Sequence, residues 1–278
     1  MTYPAGIKVI DGKIMENPPS SENRPRTHRP DEVRYLLGAK PKETTIDEMV
    51  AIMDEVGIEK GILEVATNHH EDYDQDTGIK AVRKYPDRFI PYCSDFSVNP
   101  RDGMAAVRKL EMLVKEFGVK LWHTMPSRVR LAVNDKMYYP LFAKCIELDI
   151  VASFNVGIPG PNDPSWFQDP IYVDEVCWFF PELRAVMTHM GEPWQFMCVK
   201  LMLKYPNLYY FTNSFAPRHY NSEIIQYMNT RGADKIIFAT GYPTMSFERV
   251  MTELKDLPLR DHVWPKFLRE NAIRVFKL

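Results

Sequence analysis

The sequence predicts a single (β/α)8 barrel, and three observations carry that prediction. Short apolar runs alternate with segments of helical period along the whole 278-residue chain, the pattern of repeated strand–helix units around a parallel sheet covered on both faces. Eight such runs are present, which is the barrel number, and the length is ordinary for one domain of this kind. With 45% hydrophobic and 12% aromatic residues, there is material for both a barrel interior and a layer between sheet and helices. One domain over residues 1–278 is expected, and disorder is excluded.

The first strand is expected at 8–11. Residues 12–42 then carry Pro18, Pro19, Pro25, Pro30 and Pro41 with many charges and no period, so they read as a long rim excursion rather than a helix. Thr45 and Glu48 have the spacing of a capping box, and Ile46, Met49, Val50, Met53 and Val56 form one apolar stripe ended by Gly57. A strand at 60–66 precedes a helix at 78–85, and a strand at 89–95 precedes a helix at 102–117. The next pair is 119–122 and 136–148, followed by the fifth strand at 150–155. Beyond it, residues 157–170 hold Pro159, Gly160, Pro161, Pro164 and Pro170, a stiff irregular loop. The later units alternate as helix 172–180, strand 183–188, helix 194–204, strand 208–212, helix 223–231, strand 235–239 and helix 247–254. A closing helix near 260–276 is expected over the barrel bottom or its outer wall. Both long loops follow strand C-termini, the face where such barrels keep their chemistry, so they read as rim loops.

Lys and Arg number 35 against 37 Asp and Glu, so the chain lacks the electrostatic footprint of a nucleic-acid or membrane-surface binder. The four cysteines, Cys93, Cys145, Cys177 and Cys198, are scattered and form no C-x-x-C pair, which points to a reducing, cytoplasmic setting. The first residues show no basic segment followed by an apolar one, so no cleaved leader is expected. No G-x-S-x-G, P-loop or G-x-G-x-x-G is present, which leaves nucleophilic-serine and nucleotide schemes without support.

Three segments carry a family resemblance. Val186-Met187-Thr188-His189-Met190-Gly191-Glu192-Pro193-Trp194 reads as a strand followed by His-x-Gly-x-x-Trp. The stretch from Asn229-Thr230-Arg231 through Asp234-Lys235-Ile236-Ile237-Phe238 to Thr240-Gly241-Tyr242-Pro243 surrounds the last strand, and Arg83-Lys84-Tyr85-Pro86-Asp87-Arg88-Phe89 precedes the third. Together, in this order and spacing, they resemble the amidohydrolase-related family that includes metal-dependent decarboxylases of the aminocarboxymuconate-semialdehyde type. The resemblance implies one divalent metal held by a His-x-His pair after strand one, a histidine on strand five or six and an aspartate at strand eight. In this chain the pair falls on Lys13 and Met15, the strand-five position on Asn155 and the aspartate on Gly241; His189 alone matches. An ammonium repels a cation, a thioether suits copper(I), and glycine offers no donor.

His189, Lys13 and Asn155 are therefore the candidate catalytic or ligand-binding residues, with a satisfied relic as the plainer reading of His189. His123, Glu64 and Asp95, with His189, are the weak candidates for an improvised metal site. For the two carboxylates the plainer reading is an internal ion pair with Lys120. His69-His70-Glu71-Asp72 reads as a solvated loop, because adjacent residues of an extended chain face opposite ways. Asn155 and Asn213 supply amides at strand ends. Trp166 and Phe167, in the proline-stiffened loop, are expected at a protein interface, whereas Trp178, Phe179 and Phe180 are expected in the core.

Three functions fit these readings. The favoured one is a non-catalytic or regulatory subunit packed against a metal-bearing paralogous barrel, as the resemblance to small subunits of two-component hydroxylases of the 2-aminoisobutyrate type implies. No cofactor is expected in this chain on that reading, and zinc, manganese or iron belongs to the partner; self-association is the other assembly. The second is a divergent decarboxylase or hydrolase of a small carboxylated substrate with an improvised metal site. The third is a metal-free protein in which Lys13, Asn155 and His189 cradle an anion.

Overall fold

The computed structural model describes residues 4, 6–14, 44–66, 73–160 and 163–278, without the side chain of Lys13. Eight parallel strands lie side by side in chain order: β1 Val9–Ile14, β2 Ile58–Glu64, β3 Phe89–Ser94, β4 Leu121–Thr124, β5 Val151–Asn155, β6 Ala185–Thr188, β7 Leu208–Phe211 and β8 Ile236–Ile237. The helices between them are α1 Ile46–Val56, α2 Thr77–Lys84, α3 Met104–Phe117, α4 Tyr139–Glu147, α5 Ile171–Phe179, α6 Gln195–Lys204, α7 Ser222–Met228 and α8 Phe247–Glu253. The result is the expected single (β/α)8 barrel.

Local chemistry sets the helix ends. Thr45 accepts from the Glu48 amide at 3.2 Å while Glu48 accepts from the Thr45 amide at 2.7 Å, so two orphan donors at the start of α1 are satisfied reciprocally. Gly57 ends α1 in the left-handed region, and Asp76 caps α2 through the Ile79 amide. The closing helix runs from Val263 through a π-type turn at Lys266–Glu270 into α9, Asn271–Phe276.

Two apolar layers result. The larger packs the outer faces of the strands against the helices. The smaller fills the barrel with Ile10, Ile62, Tyr92, Leu121, Val151, Val186, Phe211 and Ile237, and Ala272, Val275 and Phe276 of α9 belong to it. Phe276 stacks on Phe211 with centroids 6.0 Å apart, so the closing helix plugs the bottom rather than lying on the outer wall. Between β1 and β8 the barrel closes by single contacts. The Gly12 amide donates to the Phe238 carbonyl at 2.8 Å, and the buried Asp11 carboxylate accepts from the Thr240 amide at 3.0 Å and its hydroxyl at 2.5 Å. Gly12 permits this approach, since a Cβ there would lie 2.6 Å from the Phe211 ring and 2.7 Å from the Phe238 carbonyl.

Several expectations change. β1 continues through Lys13 to Ile14, so the first rim loop cannot begin at residue 12; Met15 and the rest of that loop lie outside the described residues, as do His69, His70, Glu71 and Asp72. β4 begins two residues later than predicted, and Lys120 lies before it. Lys120 there lines a recess with Val114, Asp149 and Lys277, at the opposite end of the strand from the mouth, so it pairs with neither Glu64 nor Asp95. The loop at 157–170 contains a helical turn, Ser165–Gln168, and buried Gln168 anchors it through Gly157 and Ser127. Trp178 and Phe179 are not core: they are 71% and 53% exposed. Among the described residues no helix is long and apolar enough to cross a membrane.

Candidate functional site

Side chains alternate across a strand, so residues two apart share a face. Because Ile62, Tyr92, Leu121, Val151 and Val186 point into the barrel, so do Glu64, Ser94, His123, Ser153, Asn155 and Thr188 nearer the strand C-termini. The interior thus changes from apolar at the bottom to polar at the mouth, and all six of these side chains are buried.

Two groups of contacts organise this layer. On one side the Tyr92 hydroxyl donates to Glu64 Oε2 at 3.2 Å, the two residues being direct partners in the β2–β3 register. His123 stands edge-on to Tyr92, with ring centroids 6.4 Å apart, and its Nδ1 is 2.8 Å from Ser153 Oγ, its partner in the β4–β5 register. On the other side the Thr188 hydroxyl donates to Asn155 Oδ1 at 2.6 Å. Asn213, just beyond β7, accepts from the His189 amide at 3.4 Å, and its Nδ2 lies 3.3 Å from His189 Nε2. His189 adopts φ +63, and its half-buried ring lies against Asn213.

Gly241 completes this second group. Its φ is +70, and a Cβ built there would lie 2.5 Å from Ser214 Oγ and 2.9 Å from the Ser214 amide. The position where the family resemblance places an aspartate therefore lacks a side chain and has no room for one in this backbone. Asn155, where a histidine is implied, already gives its oxygen to Thr188. Among the described residues, no group of three or more His, Cys, Asp or Glu side chains is placed to hold a metal. The residues at the implied metal positions do not fit the ion.

Asp95 lies apart from both groups. It follows inward-facing Ser94 and turns to the outer layer, where Oδ2 accepts from the Thr124 hydroxyl at 3.0 Å and the Met125 amide at 2.5 Å. Its Oδ1 pairs with Arg128 at 2.5 Å, and that guanidinium also covers the Phe96 ring. Asp95 is a structural anion that orders the loop after β4. Trp166 is 59% exposed, but Phe167, stacked on it at 3.6 Å, is buried.

Sequence reading passed over Asp11, Tyr92, Ser153, Thr188 and Ser214. Four of them carried a usable signal. Tyr92, Ser153 and Thr188 each stand two residues from another inward residue, and Asp11 is a carboxylate within an apolar strand. Ser214, at φ +67, gave none.

The model of the amidohydrolase family matches residues 26–278. No curated protein matches the chain. Among solved structures, an uncharacterised TIM-barrel protein from Bordetella bronchiseptica is 24% identical, with a TM-score of 0.79 over 98% of this chain and 99% of that one. The 5-carboxyvanillate decarboxylase of Novosphingobium aromaticivorans, solved with bound manganese, is 17% identical with a TM-score of 0.71 over 98% of each chain. A dihydroxybenzoic acid decarboxylase from Polaromonas, also with manganese, is 18% identical with a TM-score of 0.70 over 97% of each. At these identities the likeness speaks to the fold.

Proposed function

This chain belongs to the amidohydrolase family, and from that premise we propose that it is a non-catalytic, structural or regulatory subunit of a complex whose metal sits in a paralogous barrel. A small-molecule hydroxylase is the class of complex that the sequence resemblance implies. The observation that carries the reading is Gly241. A lost ligand alone could be replaced by a neighbour, but here Ser214 fills the space that any side chain at 241 would need. With Lys13 and Met15 at the pair positions and Asn155 committed to Thr188, His189 is left as a single imidazole, fewer donors than a zinc, manganese or iron centre requires.

The surface supports a partner. α5 buries Val173, Val176 and Cys177 on its inner face, yet its outer face carries Ile171, Trp178 and Phe179, all exposed. Large apolar side chains exposed beside the charged Asp174 and Glu175 of the same helix are a feature of surfaces that meet a partner. Exposed Trp166 and Ile158, from the loop before α5, add to the apolar surface on this part of the barrel.

The test is purification from the native source under mild conditions, followed by native mass spectrometry and elemental analysis. The expected result is a fixed stoichiometry with a second amidohydrolase-family chain, all transition metal segregating with that chain on dissociation. A homo-oligomer of this chain that retains one manganese or zinc per subunit and decarboxylates 2,6-dihydroxybenzoate would overturn the proposal.

A further inference from the structure

The interior polar layer contains one group that the fold leaves unfinished. Glu64 ends a strand whose neighbours are apolar, is 6% exposed, and uses Oε2 to accept from Tyr92. Its other oxygen, Oε1, is fully buried and meets no hydrogen-bond donor among the described residues. Buried carboxylates in folded proteins are paired, because an unsatisfied charged oxygen gives up hydration without recompense. The other inward-pointing partners are already arranged: His123 is held by Ser153 and stands against the Tyr92 ring. Arg128 is paired with Asp95 in the outer layer, and Lys120 is at the far end of β4.

We propose that Glu64, walled by Tyr92 and the His123–Ser153 pair, is a binding site at the barrel mouth for the ammonium group of a small organic amine. The ligand class follows from the number and kind of open positions. A metal ion needs at least three ligands, and the described residues provide no such group here. A guanidinium is recognised by two parallel acceptors of one carboxylate, but Oε2 is already taken by Tyr92, so the planar fork is disfavoured. An ammonium is a point charge that donates one N–H to one oxygen. Tyr92, held to Oε2 by its hydroxyl, puts an aromatic residue, the kind that attracts such a cation, in the wall of the site. The site lies on β2 to β5, away from the His189–Asn213–Gly241 group, and its existence does not depend on a partner barrel.

The experiment is calorimetric titration and thermal melting of the full chain with methylammonium and isopropylammonium chloride, against sodium chloride at matched ionic strength. Saturable binding with a rise in melting temperature is expected for the amines alone. Glu64→Gln, which keeps an oxygen for Tyr92, is expected to melt with the wild type and to bind the amine roughly ten-fold more weakly or worse. Glu64→Leu, which removes both oxygens, is expected to lose the amine response. Absence of saturable binding in the wild type, equal affinity in Glu64→Gln, or a retained amine response in Glu64→Leu would each overturn the proposal.

Discussion

At position 241 the backbone and its neighbour exclude a side chain, and this has a measurable consequence. Gly241 and Ser214 both sit at positive φ and touch through the space a Cβ would occupy. Restoring an aspartate by Gly241→Asp should therefore cost stability, about 1–3 kcal/mol from strain and overpacking, and should not bring a metal with it. Ser214→Gly relieves its own left-handed backbone and removes the obstructing hydroxyl, so in the double variant part of the loss should return. A denaturant-midpoint cycle over the four chains reads this as a favourable coupling of about 0.5 kcal/mol or more. Strict additivity would mean that Ser214 does not block the site. None of this was legible in the sequence, which shows that 241 is glycine but not that residue 214 stands against it. Asp95 teaches the same lesson in reverse. As a carboxylate at a strand end it reads as a possible ligand, and only the pairing with Arg128, 33 positions along the chain, reveals a structural anion.

At the scale of elements, the apolar runs located every strand, but β1 and β4 run on past their expected ends, for one physical reason. A hydrophobic run marks the bottom and middle of the barrel, whereas the ladder continues into a polar mouth. β4 thus pairs through His123 and Thr124 with Ser153 and Phe154, past the last apolar residue, and β1 runs on through Gly12 and Lys13. Helices show a related limit. The aromatic end of α5 looks like core because Trp and Phe usually are, yet apolar residues lie on more than one face of this helix, and periodicity alone cannot say which of them meets the sheet. Trp178 resolves the matter experimentally. Being 71% exposed, it should tolerate Trp178→Gln in the isolated chain within about 0.5 kcal/mol. If α5 is the subunit interface, the same change should weaken assembly by about 2 kcal/mol, close to thirty-fold in dissociation constant. Unchanged affinity, measured by mass photometry of the reconstituted complex, would move the interface off α5.

For the whole molecule the four buried cysteines set the alkaline limit of stability. All are free, and burial is the main force pushing every one of them up: Cys177 and Cys198 to about 12, Cys93 and Cys145 clearly upward as well. In the unfolded chain these thiols ionise near about 8.5. Above that pH the unfolded state releases protons that the folded state keeps, so stability falls as pH rises, and it is fully present only below that value. Lys235 acts with opposite sign. Burial and neighbouring Arg274 push it down to about 8, so between there and its unfolded value it contributes increasing stability with pH. The carbonyls of Tyr205, Pro206 and Leu208 accept from its Nζ and favour the ammonium, which makes its offset the smaller effect. Three to four proton equivalents then separate the two states, a slope of roughly 4–5 kcal/mol per pH unit between about pH 9 and 10. Since a domain holds about 5–15 kcal/mol in total, cooperative unfolding is expected near pH 10, before the buried tyrosines add their share. Urea midpoints taken at half-unit steps from pH 7 to 10, at fixed ionic strength with reductant present, should stay level to about pH 8 and then drop steeply. A level profile to pH 10 would mean that the thiols titrate in the folded barrel and that the layer between sheet and helices admits water.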